Sequence, residues 1–170
     1  NVSFRKACAL LAHKALTAGR EPGDVAQKPV RELVDFTDRL RAESMWPGPG
    51  IHWIGDLGYI IPSGCSTDRE GSLLIPHERD GKVYGVKVRH IGKRKTAWPG
   101  SQFAHSLYHQ NGWRGVGVAQ RCVIAEGETD AWALSGVLAG SVDVFALPSG
   151  CSTWRQEWQK DLDGYDEIWL

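Results

Sequence analysis

Three short apolar runs in the last third of this 170-residue chain constrain its fold more than any other feature. Residues 121–125 read Arg-Cys-Val-Ile-Ala, residues 142–147 read Val-Asp-Val-Phe-Ala-Leu, and residues 166–170 read Asp-Glu-Ile-Trp-Leu. Runs this short, rich in β-branched and aromatic residues, read as strands, and near-continuous apolarity is the mark of a parallel strand covered on both faces. The Ala-Trp-Ala-Leu stretch at 131–134 reads as helix. The chain is therefore expected to be α/β in this region, with an α+β part before it. The acidic cluster Glu126, Glu128 and Asp130 then falls at the C-terminal end of a strand, the place where open α/β sheets bind ligands.

The turn that follows the second run, Pro148-Ser149-Gly150, offers backbone N–H groups that suit a phosphate, or simply a turn needing glycine. The hexapeptide Pro-Ser-Gly-Cys-Ser-Thr occurs at 62–67 and again at 148–153. The flanks differ, so it is read as recurring strand-to-turn chemistry and not as a domain repeat.

Upstream, a short strand at 72–76, the turn pair Asp80-Gly81 and an alternating stretch at 83–89 predict a β-hairpin. Its basic side chains continue into the next segment: Lys82, Lys87, Arg89, Lys93, Arg94 and Lys95, with His90 among them. Lys87 and Arg89 share one strand face. Such a cluster binds phosphates without sequence preference, or is a solvated charged hairpin.

Helical spacing appears at 2–17 and 30–44, a polar Gly- and Pro-containing linker at 19–28, and a breaker, Trp46-Pro-Gly-Pro-Gly50, after the second. Net charge is zero, but unevenly spread. Residues 1–125 carry 18 Lys/Arg against 11 Asp/Glu, and residues 126–170 carry 2 against 9. A basic body beside an acidic end suits a polyanion held next to a divalent cation. Cys8, Cys65, Cys122 and Cys151 are far apart with no C-x-x-C, which gives neither a zinc site nor a disulfide framework. Reduced thiols and a cytoplasmic setting are the default. No apolar run is long enough to span a bilayer. Among the tryptophans, Trp98 and Trp113 lie in loop-like segments suited to base stacking, whereas Trp132, Trp158 and Trp169 sit on core elements.

The order Glu-Gly-Glu-x-Asp, apolar strand, Ser-Gly turn, polar helix and third strand resembles the Toprim domain of DNA primases of the bacterial and phage type. Ile75-Pro76, Asp80-Gly81, Val83-Tyr84-Gly85, Arg89 and the later Leu107-Tyr108 are similar to the segment that precedes that domain in the same family. The likeness is specific over 121–170 and looser over 72–109. It implies a possible zinc-domain closing helix at 1–17, a linker and helix at 18–50, a basic primase-core subdomain at 51–118 and the first half of a Rossmann-like Toprim domain at 119–170.

The resemblance implies template-directed synthesis of short RNA primers on single-stranded DNA, by phosphoryl transfer from nucleoside triphosphates. Glu126 would be the acid/base, and Glu126 with Asp130 would bind Mg²⁺ or Mn²⁺. Lys87, Arg89, Lys93, Arg94, Lys95, Gly127, Ser149 and Gly150 would meet nucleotide or nucleic acid. Glu128 is expected to face solvent. The family's next metal motif, Asp-x-Asp, would follow Leu170, and its zinc ligands would precede Asn1. The chain is thus read as a fragment, inactive alone, from a phage- or plasmid-type parent that also meets a replicative helicase. Two other readings stay open: a Toprim enzyme that cleaves DNA strands, and a non-catalytic Toprim-like protein that binds single-stranded nucleic acid. The carboxylates at 126–130 also fit a simpler role, complementing a helix N-terminus.

Overall fold

The computed structural model describes residues 32–45, 64–90, 92, 94–113, 119–138, 141–150 and 153–170, with the side chains of 110–113 left aside. The expected helix at 2–17, the linker at 19–28, the breaker at 46–50 and the residues Lys93, Cys8 and Cys151 lie outside them.

Among the described residues, two four-stranded sheets carry the fold. The first is antiparallel in the order β1 (Ser66–Thr67), β2 (Leu73–Arg79), β3 (Lys82–Arg89), β4 (Thr96–Ala97). The β2–β3 hairpin closes at Arg79 opposite Lys82, across Asp80 and Gly81. Both turn residues have positive φ, 53° and 77°. That is the backbone of the tight turn whose twist matches the strands, and Asp-Gly is well suited to it.

The second sheet is mixed, in the order β5-β7-β6-β8, with β5 Tyr108–Trp113, β6 Arg121–Ala125, β7 Asp143–Ala146 and β8 Glu167–Trp169. β6 pairs in parallel with β7 on one side and β8 on the other, and β5 pairs antiparallel with β7. Helix α2 (Glu128–Leu138) connects β6 to β7. The general α/β class is thus present. β5, which precedes residue 118, is an edge strand of this second sheet.

The apolar runs explain the layering. Along β6, Cys122 and Ile124 face one cluster with Phe145, Trp158, Leu162 and Ile168. Val123 and Ala125 face another, shared by Ala131 and Trp132 of α2 and by Leu73 and Ile75 of the first sheet. Every second residue of β6 thus enters a different core, which is why its sequence does not alternate. The indole of Trp132 donates to the hydroxyl of Tyr108 (2.8 Å), so the polar ends of two fully buried rings satisfy each other. The polar segment after β7 is a 3₁₀ helix, Gln156–Leu162.

The helix expected over 30–44 is shorter. α1 spans Thr37–Glu43 and leaves residues 32–36 non-helical. Asp35 accepts from both the N–H (2.9 Å) and the hydroxyl of Thr37, and Phe36 donates its N–H to the Val83 carbonyl (2.7 Å). Backbone committed to the hairpin cannot also extend the helix. Phe36 packs with Leu74, Val86 and Trp98 on the outer face of the first sheet. Trp98 is consequently buried, 5.9 Å from Phe36 and under the Arg39 guanidinium at 4.2 Å. This corrects its reading as a base-stacking residue. No helix among the described residues is long and apolar enough to cross a membrane.

Candidate functional site

Where the end of β6 faces the β3–β4 edge, the structure leaves an open crevice of about 670 Å³. Glu126, Gly127, Thr129 and Asp130 line one wall, Arg94, Lys95 and Thr96 the other, and Pro148, Ser149 and Gly150 contribute the turn after β7. Residues expected from widely separated parts of the sequence are therefore together: Glu126, Asp130, Lys87, Arg94, Lys95, Gly127, Ser149 and Gly150 all border this space. Arg89 does not line it, and Lys93 is outside the described residues.

The carboxylates divide by exposure. Glu126 and Asp130 are exposed. Glu128 between them is only 3% exposed, which overturns its expected solvent-facing position. The reason is helical spacing. Glu128 stands three and four residues before Ala131 and Trp132, on the stripe that α2 turns into the core.

A buried carboxylate needs partners. Oε1 of Glu128 receives the ammonium of Lys87 and lies 3.1 Å from Nε2 of His77. Lys87 also donates to the carbonyl of Pro148 and passes 5.4 Å from the ring centroid of Phe103. Its ammonium is therefore already engaged, unlike the outward-facing cation expected of a polyanion contact. His77 is 5% exposed and wedged between Phe103 (4.7 Å) and Tyr108 (4.9 Å). Neither of its ring nitrogens has an aligned hydrogen bond.

Burial opposes ionisation of Glu128, but His77, followed by the Lys87 ammonium, outweighs it and holds the carboxyl at about 2. Burial pushes the His77 imidazole below its ordinary value, and Glu128 only partly offsets this. The Cys65 thiol, next to Tyr108 and Glu128, is pushed up by burial and is inert as a nucleophile at neutral pH.

Backbone detail shapes the rim. Gly150 has φ 91° and closes the turn after β7. A Cβ at Gly127 would stand 3.4 Å from Oδ2 of the exposed Asp130, an ordinary contact, so the structure makes no demand for glycine there.

Glu126 and Asp130 offer hard carboxylate oxygens at an open crevice, the donor type that Mg²⁺ or Mn²⁺ takes. Glu128 is committed to Lys87, and no group of three or more His, Cys, Asp or Glu suited to a metal occurs among the described residues. Two carboxylates fit a cation that keeps waters and completes its shell on substrate phosphates.

Glu128, His77 and Phe103 were not singled out for this site by sequence. The signal for His77 was the alternation Leu73, Ile75, His77, which puts it on the inward face of β2. No protein-family model matches the chain, and no curated protein matches it.

Proposed function

We propose that this chain is part of a Toprim-type DNA primase and that the crevice is where a nucleoside triphosphate meets the end of a growing primer on single-stranded DNA. One observation carries the reading. Two exposed carboxylates at the end of a parallel strand, Glu126 and Asp130, border the same crevice as the cations Arg94 and Lys95, which come from a separate sheet's edge. That combination suits a phosphate ester that must be held by cations while a proton is moved beside it.

In this reading Arg94 and Lys95 hold phosphate oxygens, and backbone N–H groups of Ser149 and Gly150 donate to a further one. Glu126 takes the proton from the attacking 3′-hydroxyl as its oxygen bonds to the α-phosphorus and pyrophosphate leaves. Asp130, with Glu126, would hold Mg²⁺ or Mn²⁺, whose contribution when bound is to neutralise charge on the phosphate oxygens. Phe103 and Leu147 give the crevice an apolar side.

The test is primer synthesis by the natural full-length chain on a single-stranded template with four ribonucleotides and magnesium. Synthesis is expected, and Glu126→Gln should lower it by about 10²–10⁴-fold. Template cleavage in place of synthesis, or template binding with neither reaction, would replace the reading with one of its two rivals.

A further inference from the structure

The two walls of the crevice belong to different sheets, so something must fix their separation. Lys87 bridges them. It rises from β3, and its ammonium engages Oε1 of Glu128 at the start of α2 and the carbonyl of Pro148 just after β7. These residues come from separate elements, and all of them border the crevice. The Glu128 carboxylate is shielded from water and backed by His77, so it cannot turn away to solvent without leaving a half-buried ammonium with one partner fewer. The Pro148 carbonyl takes a second N–H of the same ammonium, which ties the turn directly to the ion pair.

We propose that Glu128 is a positioning residue: acting through Lys87, it clamps the 148–150 turn and the first turn of α2 against β3, and so sets the spacing between Glu126 and Asp130 on one wall and Arg94 and Lys95 on the other. The consequence for ligand binding rests on the crevice being the phosphate-binding site proposed above; the clamp itself does not. A mere counter-ion to Lys87 would behave in the opposite way. Removing a counter-ion frees a cation and tightens anion binding, whereas removing a clamp loosens the walls and weakens it.

The experiment uses the whole chain, with hydrogen–deuterium exchange as the first readout and binding of ATP with magnesium as the second. Glu128→Gln and Lys87→Met should each speed exchange at residues 147–150 about tenfold, and the double variant should go no further than either alone. Glu128→Gln should also weaken binding of magnesium ATP about tenfold, with unchanged far-ultraviolet circular dichroism. If Glu128→Gln unfolds the chain, the conservative pair decides. Glu128→Asp withdraws the carboxylate by one carbon and should loosen the turn, and adding Lys87→Arg, which reaches further, should restore protection.

Unchanged exchange at 147–150 in Glu128→Gln, or tighter binding of magnesium ATP, would overturn the clamp. Arg94→Ala with Lys95→Ala is run alongside. If that pair leaves nucleotide binding intact, or if the unaltered chain binds none, the crevice reading fails while exchange still judges the clamp on its own.

Discussion

Gly85 lies beneath the ring of Phe103 so closely that a methyl group on its Cα would stand 2.7 Å from Cε1 and 2.9 Å from Cδ1. A glycine inside a strand often marks such an approach. Phe103 lines the crevice and packs edge-on against His77, so its seat on β3 is part of the site's frame. Gly85→Ala is expected to displace the ring and cost about 1–3 kcal/mol. Urea denaturation reads the loss, and Phe103→Leu in the same background should recover part of it. An unshifted midpoint would mean that the ring has room to move.

Arg79 reaches from the end of β2 to Asp161 in the 3₁₀ segment, whose carboxylate is fully shielded and also lies 3.5 Å from the Leu107 N–H. The partners are unequal, because Arg79 keeps about a fifth of its side chain in solvent (21%) while Asp161 keeps none (0%). Removing the arginine leaves an anion buried, so Arg79→Met should cost about 3 kcal/mol, and Asp161→Asn should cost less. The reverse order in chemical denaturation would show that hydrogen bonding to Leu107, and not the ion pair, dominates.

Stability should fall on acidification in two stages. Burial lowers the His77 pKa in the folded chain from its ordinary 6.5, so the unfolded chain binds the proton first as pH falls. Its contribution is complete above about pH 6.5 and declines below it, by at most about 1.4 kcal/mol per pH unit. Glu128, held at about 2 against an ordinary 4.5, adds a second decline between those values. Urea midpoints in metal-free buffer from pH 7.5 to 3 measure both. His77→Phe should reduce the upper stage, to which His105 also contributes, and shrink the lower one, because His77 helps hold the Glu128 carboxyl low. Constant stability from pH 7.5 to 5.5 would contradict the burial of a neutral imidazole.

Binding of single-stranded DNA should weaken with salt if the crevice meets phosphates. Each phosphate contact on a single strand contributes about 0.7 to the slope of log affinity against log salt. Arg94→Ala with Lys95→Ala should therefore reduce the slope by about 1.4, while the already paired Lys87 should contribute less on replacement by Met. Fluorescence anisotropy with a labelled oligonucleotide between 50 and 250 mM salt reads this. An unaltered slope would place the polyanion elsewhere.

Much of the framework could be read from local pattern. The Asp80-Gly81 turn, the apolar runs of β6 and β7 and the helix that follows β6 each carry their own short-range signal. What was misread depends on contacts between distant segments. Phe36 donates to Val83 and so ends what looks, by spacing alone, like a longer helix. Trp98 looked like a loop tryptophan because the ring and guanidinium that cover it, Phe36 and Arg39, lie some sixty residues earlier. Glu128 is the most instructive case. The family resemblance implies solvent there, yet the i, i+3, i+4 spacing to Ala131 and Trp132 places it on the inward stripe. Its partner Lys87 was legible only as one cation among several on a basic hairpin.

The placement of β5 bears on how this polypeptide can be divided. Leu73 and Ile75 of the first sheet share one apolar layer with Tyr108, Val123, Trp132 and Val144 of the second, and β5 is hydrogen-bonded to β7. Cleaving the backbone between residues 113 and 119 would leave two halves of a single interior, each presenting greasy surface shaped for the other. Such halves, mixed together, are better candidates for fragment complementation than for study as separate modules.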